Sequence, residues 1–181
     1  MIDSFPPGLI MVIGALLIPF LPHIIRQIYM LVLVLFSVYP LTLGMGTHSS
    51  VNIFDFEFIL FQSDSLSLPF AIIFHIASLL VIIYGWHNKN LMENMATLAY
   101  AGSAIGALHA GDFFSLFIWW EATALTSVFI VLAGNTISAR NSAMRYLIIQ
   151  VCSGVLLLIG ASMMVYQTGN YELTKLDLSS N

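Results

Sequence analysis

The chain has 181 residues, of which 59% are hydrophobic and 8% are charged, and its formal net charge at pH 7 is -4. Ordinary soluble domains are about 45 to 50% apolar and about 25% charged, so this composition excludes a soluble domain and predicts an integral membrane protein. The five Lys and Arg residues are scattered along the chain, without the basic patch that nucleic-acid binding requires. Nucleic acid is therefore not an expected partner.

Six apolar segments are predicted to be membrane helices, because a span needs about 20 mostly apolar residues. Each is separated from the next by a polar connection. The expected fold is an all-α polytopic membrane bundle that forms one membrane domain over residues 1–181. The predicted helices lie near residues 8–22, 27–45, 66–86, 92–109, 113–133 and 142–166.

The connection between the second and third helices is the longest and contains VNIFDFEFILF, residues 51–61. Polar residues alternate there with aromatic ones at roughly two-residue spacing, as with Asn52, Asp55 and Glu57. This alternation predicts a short strand or hairpin at the membrane surface. A simple amphipathic segment at the interface is an equally good interpretation of the pattern.

The basic residues predict the orientation of the bundle. Four of them, Arg26, Lys89, Arg140 and Arg145, fall at the first, third and fifth connections, and only Lys175 falls on the other side. Because basic residues are enriched in cytoplasmic loops, both termini of this segment and the acidic second loop are expected to be extracytoplasmic.

The stretch FIWWEATALT places Glu121 near the middle of the fifth span. A carboxylate at that depth costs a few kcal/mol of insertion free energy and usually faces the bundle interior with a partner or water. Small and hydroxylated neighbours such as Thr123 and Thr126 leave room for another helix or for water. Glu121 is therefore the first candidate for proton translocation, and the alternative is a structural residue that joins two helices by hydrogen bonds.

Three further polar residues are candidates for a proton path. His75 lies in the third span and is a candidate relay, although a lone histidine is more often a packing residue. His109 and Asp112 flank the turn before the fifth span and are candidates for proton entry or exit, with a solvated turn as the alternative. Gln150 lies deep enough in the sixth span to supply a polar step on the path.

The sequence predicts no cofactor, no metal site and no catalytic chemistry within the chain. Cys152 is the single cysteine, and the five histidines fall in different segments without the close helical spacing of metal or haem ligands. We find no phosphate-binding glycine loop and no nucleophile beside a base. A cofactor-binding helix bundle thus lacks the ligand residues it would need.

Two long stretches resemble a known family. HAGDFFSLFIWWEATALTSVFIVLAGN, followed by RNSAMRYLIIQVCSGVLLLIGASMMVYQTGN, resembles helices five and six of the antiporter-like subunits shared by respiratory complex I (NADH:quinone oxidoreductase) and Mrp-type cation/proton antiporters. DSLSLPFAIIFHIASLLVIIYGW resembles the third helix of that family, and the loop before it resembles the family's extracytoplasmic hairpin. The most specific element is the glutamate in the WWE context.

The resemblance implies that Glu121 matches the family's helix-five protonation site, which works with a lysine on a broken seventh helix. This sequence reaches LTKLDLSSN directly after the sixth helix, and Lys175 in that tail cannot replace the lysine. The expectation from this pattern is that the chain corresponds to the N-terminal portion of such a subunit.

The function that the resemblance implies is proton or cation/proton translocation in a D-like subunit of a Mrp sodium/proton antiporter, in a bacterial inner membrane. Its expected partners are other membrane subunits, the lipid bilayer, protons and sodium. Two alternatives remain open: a proton-pumping membrane subunit of NADH:quinone oxidoreductase or a related hydrogenase, and a structural or assembly component without its own proton path.

Overall fold

The computed structural model describes residues 5–43, 48–53 and 56–173, so Asp55 and Lys175 lie outside the described residues. The described chain forms a bundle of α-helices with one antiparallel hairpin of strands β1 (His48–Ile53) and β2 (Phe56–Gln62) between the second and third helices. The predicted polytopic helical bundle is confirmed. The long connection between the second and third helices forms a hairpin, which is one of its two predicted structures, and not a simple amphipathic segment. The helices are α1 (Pro7–Ala15), α2 (His23–Ser37), α3 (Ser67–Tyr84), α4 (Leu91–Leu108), α5 (Phe113–Leu132) and α6 (Ile137–Thr168).

The ends of three helices differ from those expected. α1 stops at Ala15 and a 3-10 turn follows at Ile18–Phe20, because Pro19 in that turn lacks the N–H that a continuing helix needs. α2 begins directly after Pro22 and gives way to a second 3-10 turn. α6 begins earlier than predicted because the Thr136 side chain accepts a hydrogen bond of 3.0 Å from the Ala139 N–H and caps the helix there.

Among the described residues, four helical segments are long and apolar enough to cross a membrane, namely α2 with its 3-10 turn, α3, α5 and α6. With 20 residues, α5 is about 30 Å long, which matches the hydrocarbon core. With 32 residues, α6 is longer than that core, so its ends extend into the interfacial region. Of the other two helices, α1 has only 9 residues, and α4 is the most enclosed by its neighbours.

The α4 helix is the centre of the bundle. It packs against α1, α3 and α5, while α6 packs on the far side of α5 and α2 packs against α1 and α3. The largest buried cluster joins α1, α2 and α4 through side chains that include Met11, Met30, Val34, Leu98 and Ile105. The α3 and α5 helices therefore lie on different sides of α4.

Glycines bring α1 and α4 into backbone contact. A methyl group on Gly8 would collide with the Gly102 carbonyl oxygen and would lie 2.6 Å from the Gly106 backbone nitrogen. On the other face of α4, Gly106 lies beneath the Trp119 ring of α5. Small residues permit this close approach, which supplies the dispersion contacts that hold helices together in lipid.

The turn between α4 and α5 holds the hairpin against the bundle. We call the end of the bundle that contains this turn and the hairpin the hairpin end. Strand β2 bonds to the turn through Gln62 N–H to His109 C=O at 2.8 Å and Gly111 N–H to Ile59 C=O at 3.0 Å. The Asp112 carboxylate is fully buried. It accepts the Ile59 N–H at 2.6 Å and caps α5 through the N–H groups of Phe114 and Ser115 at 2.9 and 2.8 Å.

Two other segments begin or end at the hairpin end. Asp64 accepts N–H bonds from Leu66 and Ser67 at 3.0 and 2.5 Å before α3 begins, as expected of a cap, and the bond from Ser67 holds the pKa of that carboxyl below its usual value. α6 ends at Thr168 and is followed by Gly169, whose φ of 66° is a left-handed conformation that glycine adopts without strain. The chain then pairs with the α4–α5 turn through Leu173 N–H to Gly111 C=O at 2.9 Å.

Hydrogen bonds to two backbone carbonyls, those of Asn88 and Ala133, hold together the end of the bundle away from the hairpin. The Asn88 carbonyl oxygen accepts bonds from His23, Gln27 and Asn94 at 3.2, 3.2 and 3.1 Å. Asn90 caps α4 and donates to the Ala133 carbonyl at 3.1 Å. These bonds tie the starts of α2 and α4 to the end of α5.

We expect Gly8→Ala to destabilise the bundle by about 1 to 3 kcal/mol, because the added methyl meets backbone atoms that cannot rotate away. Thermal unfolding in detergent, followed by circular dichroism, measures the change. Gly160→Ala is the matched control, since no atom lies within 4 Å of a methyl placed there. Equal unfolding temperatures for the two variants would contradict the direct α1–α4 contact.

We expect Asp112→Ala to cost more stability than Thr136→Ala. Thr136 caps α6 at an exposed site, where loss of the cap costs about 1 kcal/mol. Loss of Asp112 leaves the buried N–H and hydroxyl of Ser115 and the partly buried N–H groups of Ile59 and Phe114 without their acceptor, and a buried group in that state costs about 1 to 3 kcal/mol. Chemical denaturation of both variants compares them, and similar midpoints would show that Asp112 does no more than an ordinary cap.

Candidate functional site

Glu121 lies near the middle of α5, about 12 Å from the start of the helix at about 1.5 Å per residue. The residue is half-buried. Its Oε1 atom is buried and makes no hydrogen bond with any described residue. A carboxyl oxygen in this state is unusual, because the large majority of buried polar atoms have a partner.

The Glu121 carboxyl faces α6. Its Oε1 atom occupies the space that a methyl group on Gly154 would fill, and its Cδ and Oε2 atoms would lie 2.8 and 3.5 Å from that methyl. Gly154 belongs to the face of α6 that is buried, together with Ala143 and Ala161. The buried Oε1 atom of the carboxyl therefore lies at the contact between α5 and α6.

The hydroxyl groups around Glu121 are bonded within their own helix. Thr123 and Thr126 donate to the Trp119 and Ala122 carbonyls, each at 2.8 Å. Neither hydroxyl donates a hydrogen bond to the Glu121 carboxyl group. One hydroxyl pair also joins the two helices: Ser127 donates to the Ala124 carbonyl at 2.6 Å, so its oxygen accepts the bond from the Tyr146 hydroxyl at 3.0 Å.

His75 lies in the middle of α3 and is buried at 2% exposure. Its Nδ1 atom is 2.7 Å from the Ala71 carbonyl oxygen, and its Nε2 atom is 3.0 Å from the Ser37 hydroxyl of α2. A carbonyl oxygen only accepts hydrogen bonds, so Nδ1 carries a hydrogen. The lone pair of the neutral ring is therefore on Nε2, facing Ser37.

The Ser37 hydroxyl lies between two acceptors when His75 is neutral. It is also 2.7 Å from the Val34 carbonyl, and its single hydrogen can be donated to that carbonyl or to Nε2. When His75 gains a proton, its Nε2–H donates to the Ser37 oxygen and Ser37 donates to Val34. Rotation of one hydroxyl thus accommodates both charge states of the ring.

His109 follows the end of α4 and has the same ring orientation as His75. Its Nδ1 atom donates to the Ile105 carbonyl at 2.9 Å, and its buried Nε2 atom makes no hydrogen bond with any described residue. The His109 ring packs against the Phe61 ring of β2, with the ring centroids 5.0 Å apart. The predicted alternative of a solvated turn is wrong for His109, which is 1% exposed because strand β2 covers the turn.

The predicted site residues fall into two groups. Gln150 is half-buried and lies one turn from Gly154, so it accompanies Glu121 at the α5–α6 contact. His75 and His109 lie on the α3 side of α4. Asp112 belongs to neither group, because its oxygens accept hydrogen bonds from N–H groups in the first turn of α5 and from the N–H of Ile59 in β2.

No charged partner balances Glu121 among the described residues. The described basic side chains Arg26, Lys89, Arg140 and Arg145 belong to the end of the bundle away from the hairpin. No group of three His, Cys, Asp or Glu residues converges as a metal site within the described ranges. A cavity of about 260 Å³ between α3 and α4 is lined by residues such as Phe74, Ser78 and Leu98, without a carboxylate or histidine.

Ser37 and Gly154 are not among the site residues predicted from the sequence. A serine near a helix end is common, so its type and position do not indicate that Ser37 contacts a histidine. A glycine within a helix does suggest a close approach, but the sequence does not say what approaches it.

Comparison with known proteins identifies the relatives of this chain. Residues 110–181 match the family model described as "NADH:quinone oxidoreductase/Mrp antiporter, TM". A putative antiporter subunit mnhD2 from Staphylococcus epidermidis is 25% identical over 148 residues, which cover 78% of this chain and 28% of the relative. The D subunit of the Na(+)/H(+) antiporter of Alkalihalophilus pseudofirmus is 27% identical over 71 residues, 39% of this chain and 14% of that protein.

A solved structure has the same fold. A chain of the membrane-bound sulfane sulfur reductase, an archaeal respiratory membrane complex, matches with a TM-score of 0.75 and 22% identity over 93% of this chain and 28% of that one. This chain therefore spans less than a third of the length of these relatives. The resemblance that the sequence predicts, to the antiporter-like membrane subunits shared by NADH:quinone oxidoreductase and Mrp antiporters, is confirmed.

Proposed function

We propose that this chain functions in a proton-translocating subunit of a Mrp-type sodium/proton antiporter, with Glu121 as its intramembrane protonation site. The observation that carries the proposal is the Glu121 Oε1 atom, buried at mid-span without a hydrogen bond to any described residue. The relatives named as antiporter subunits support the Mrp assignment over its alternatives. Translocation of protons or cations in general is the coarser function common to both parts of the family description.

The physical argument starts from the cost of a carboxylate in lipid. An ionisable group within a membrane span is expensive and is usually functional. Glu121 makes no ion pair with any described residue and does not cap or join helices by a described hydrogen bond, which weakens the purely structural interpretation. A carboxyl that is enclosed but unbonded remains available to take up and release a proton.

The two histidines supply a second set of proton-holding groups. His75 exchanges a proton with little rearrangement, because the Ser37 hydroxyl serves either charge state. His109 presents an unbonded Nε2 atom near the hairpin end. We assign His75 a relay role and His109 a role at proton entry or exit, on the α3 side of α4, and we assign Gln150 a polar step beside Glu121.

The orientation and the partners belong to the same proposal. We assign the end away from the hairpin to the cytoplasmic side, because basic residues are enriched in cytoplasmic loops, and we assign both termini and the hairpin to the outer side of a bacterial inner membrane. The exposed apolar side chains of α6 and α3 suit contact with lipid and with other membrane subunits. Protons and sodium are the proposed transported ions.

Two alternative functions predict different transport measurements. The family description equally includes NADH:quinone oxidoreductase, whose membrane subunit would pump protons without sodium exchange. A structural or assembly component would retain neither activity. Sodium dependence of proton flux separates the first alternative from the proposal.

We expect Glu121→Gln to reduce proton flux to the level of empty vesicles, because glutamine has the same size but does not ionise. The assay uses the complete antiporter complex in vesicles with a pH-sensitive dye. Glu93→Gln is the control, because Glu93 lies in the first turn of α4 at a helix end. Full transport by Glu121→Gln would eliminate the central role, and equal loss in both variants would indicate a general effect of removing a carboxylate.

We expect Ser37→Ala to slow transport and to change its dependence on pH, because His75 loses the hydroxyl that accepts its Nε2–H. Ser78→Ala is the matched control. The Ser78 hydroxyl donates to the Phe74 carbonyl at 2.7 Å within α3 and has no histidine partner. Identical pH profiles of proton flux for wild type and Ser37→Ala would remove His75 from the path.

A further inference from the structure

Two glycines of this bundle, Gly8 and Gly154, make different kinds of contact. At Gly8, the nearest atoms to an added methyl are backbone atoms of α4, and at Gly154 all three nearest atoms belong to the Glu121 carboxyl group. The absence of a side chain at Gly154 therefore does not allow two helix backbones to approach each other. It leaves space for a single functional group.

The position of Gly154 in α6 is specific. The buried positions of this helix are Ala143, Gly154 and Ala161, so alanine is accepted at two of the three. At the third, an alanine methyl would overlap the Glu121 Oε1 atom. Gly160, less than two turns away, has no atom within 4 Å of an added methyl.

We propose that Gly154 is the positioning residue of the protonation site, because the absence of a side chain at this point of α6 fixes where the Glu121 carboxyl lies. The proposal rests on the proposed role of Glu121 and deepens it. Gly154 keeps the carboxyl enclosed between α5 and α6. A residue with a side chain there moves the carboxyl out of this position.

The expected response to a methyl at position 154 follows from which atoms can move. The Glu121 carboxyl is the end of a side chain with three rotatable bonds, whereas the backbones of α5 and α6 are held by their hydrogen bonds. The carboxyl therefore rotates and the helices stay. This separates Gly154 from Gly8, where an added methyl meets backbone and the fold itself is affected.

The experiment compares Gly154→Ala with Gly160→Ala in the complete complex. Both add one methyl to the interior of the same helix, so the intrinsic helix-propensity effects match. The readout is the infrared band of the Glu121 carboxyl, assigned as the band that Glu121→Gln removes. We expect this band to shift in Gly154→Ala and to stay at the wild-type frequency in Gly160→Ala, with unfolding temperatures of both variants close to wild type.

Proton flux supplies the second readout. We expect flux in Gly154→Ala to fall between that of wild type and Glu121→Gln, and flux in Gly160→Ala to equal wild type. An unshifted Glu121 band in a folded Gly154→Ala complex would overturn the positioning role, even if Glu121→Gln abolishes transport. Full transport by Glu121→Gln would instead overturn the proposed function, while the band shift would still report on the geometry.

Discussion

The buried carboxylate of Asp112 is the interaction on which the arrangement of this bundle depends. It fixes where α5 begins, because it caps the first N–H groups of that helix, and it holds β2 against the α4–α5 turn. The start of α5 sets the depth of Glu121, since each helical residue advances about 1.5 Å. One carboxylate at the end of the helix thus determines the position of another at mid-membrane.

Close packing around α4 separates the two sets of polar groups. Gly8, Gly102 and Gly106 bring α1 and α5 close to α4, and α4 then lies between α3 and α5. The histidines are on one side and Glu121 is on the other.

Most polar side chains within the spans satisfy their hydrogen-bonding groups locally. Ser103, Thr123 and Thr126 donate to carbonyls of the preceding turn. These local bonds avoid the free-energy cost of an unpaired hydroxyl within the membrane. The buried side-chain atoms without a partner among the described residues are therefore exceptional, and they include Glu121 Oε1 and His109 Nε2. Exceptions to local consistency are expected at functional sites.

The sequence by itself determined the membrane location, the succession of helices, the hairpin as one of two interpretations, and the place of Glu121 along α5. Apolar length and turn residues carry this information locally, so no knowledge of packing is needed. The partners of each polar group were decided only by the tertiary structure. Gly154 meets Glu121, and Ser37 meets His75, through the rotation and register of helix pairs, which depend on side-chain contacts across the whole interface and leave no periodic signal in either helix alone.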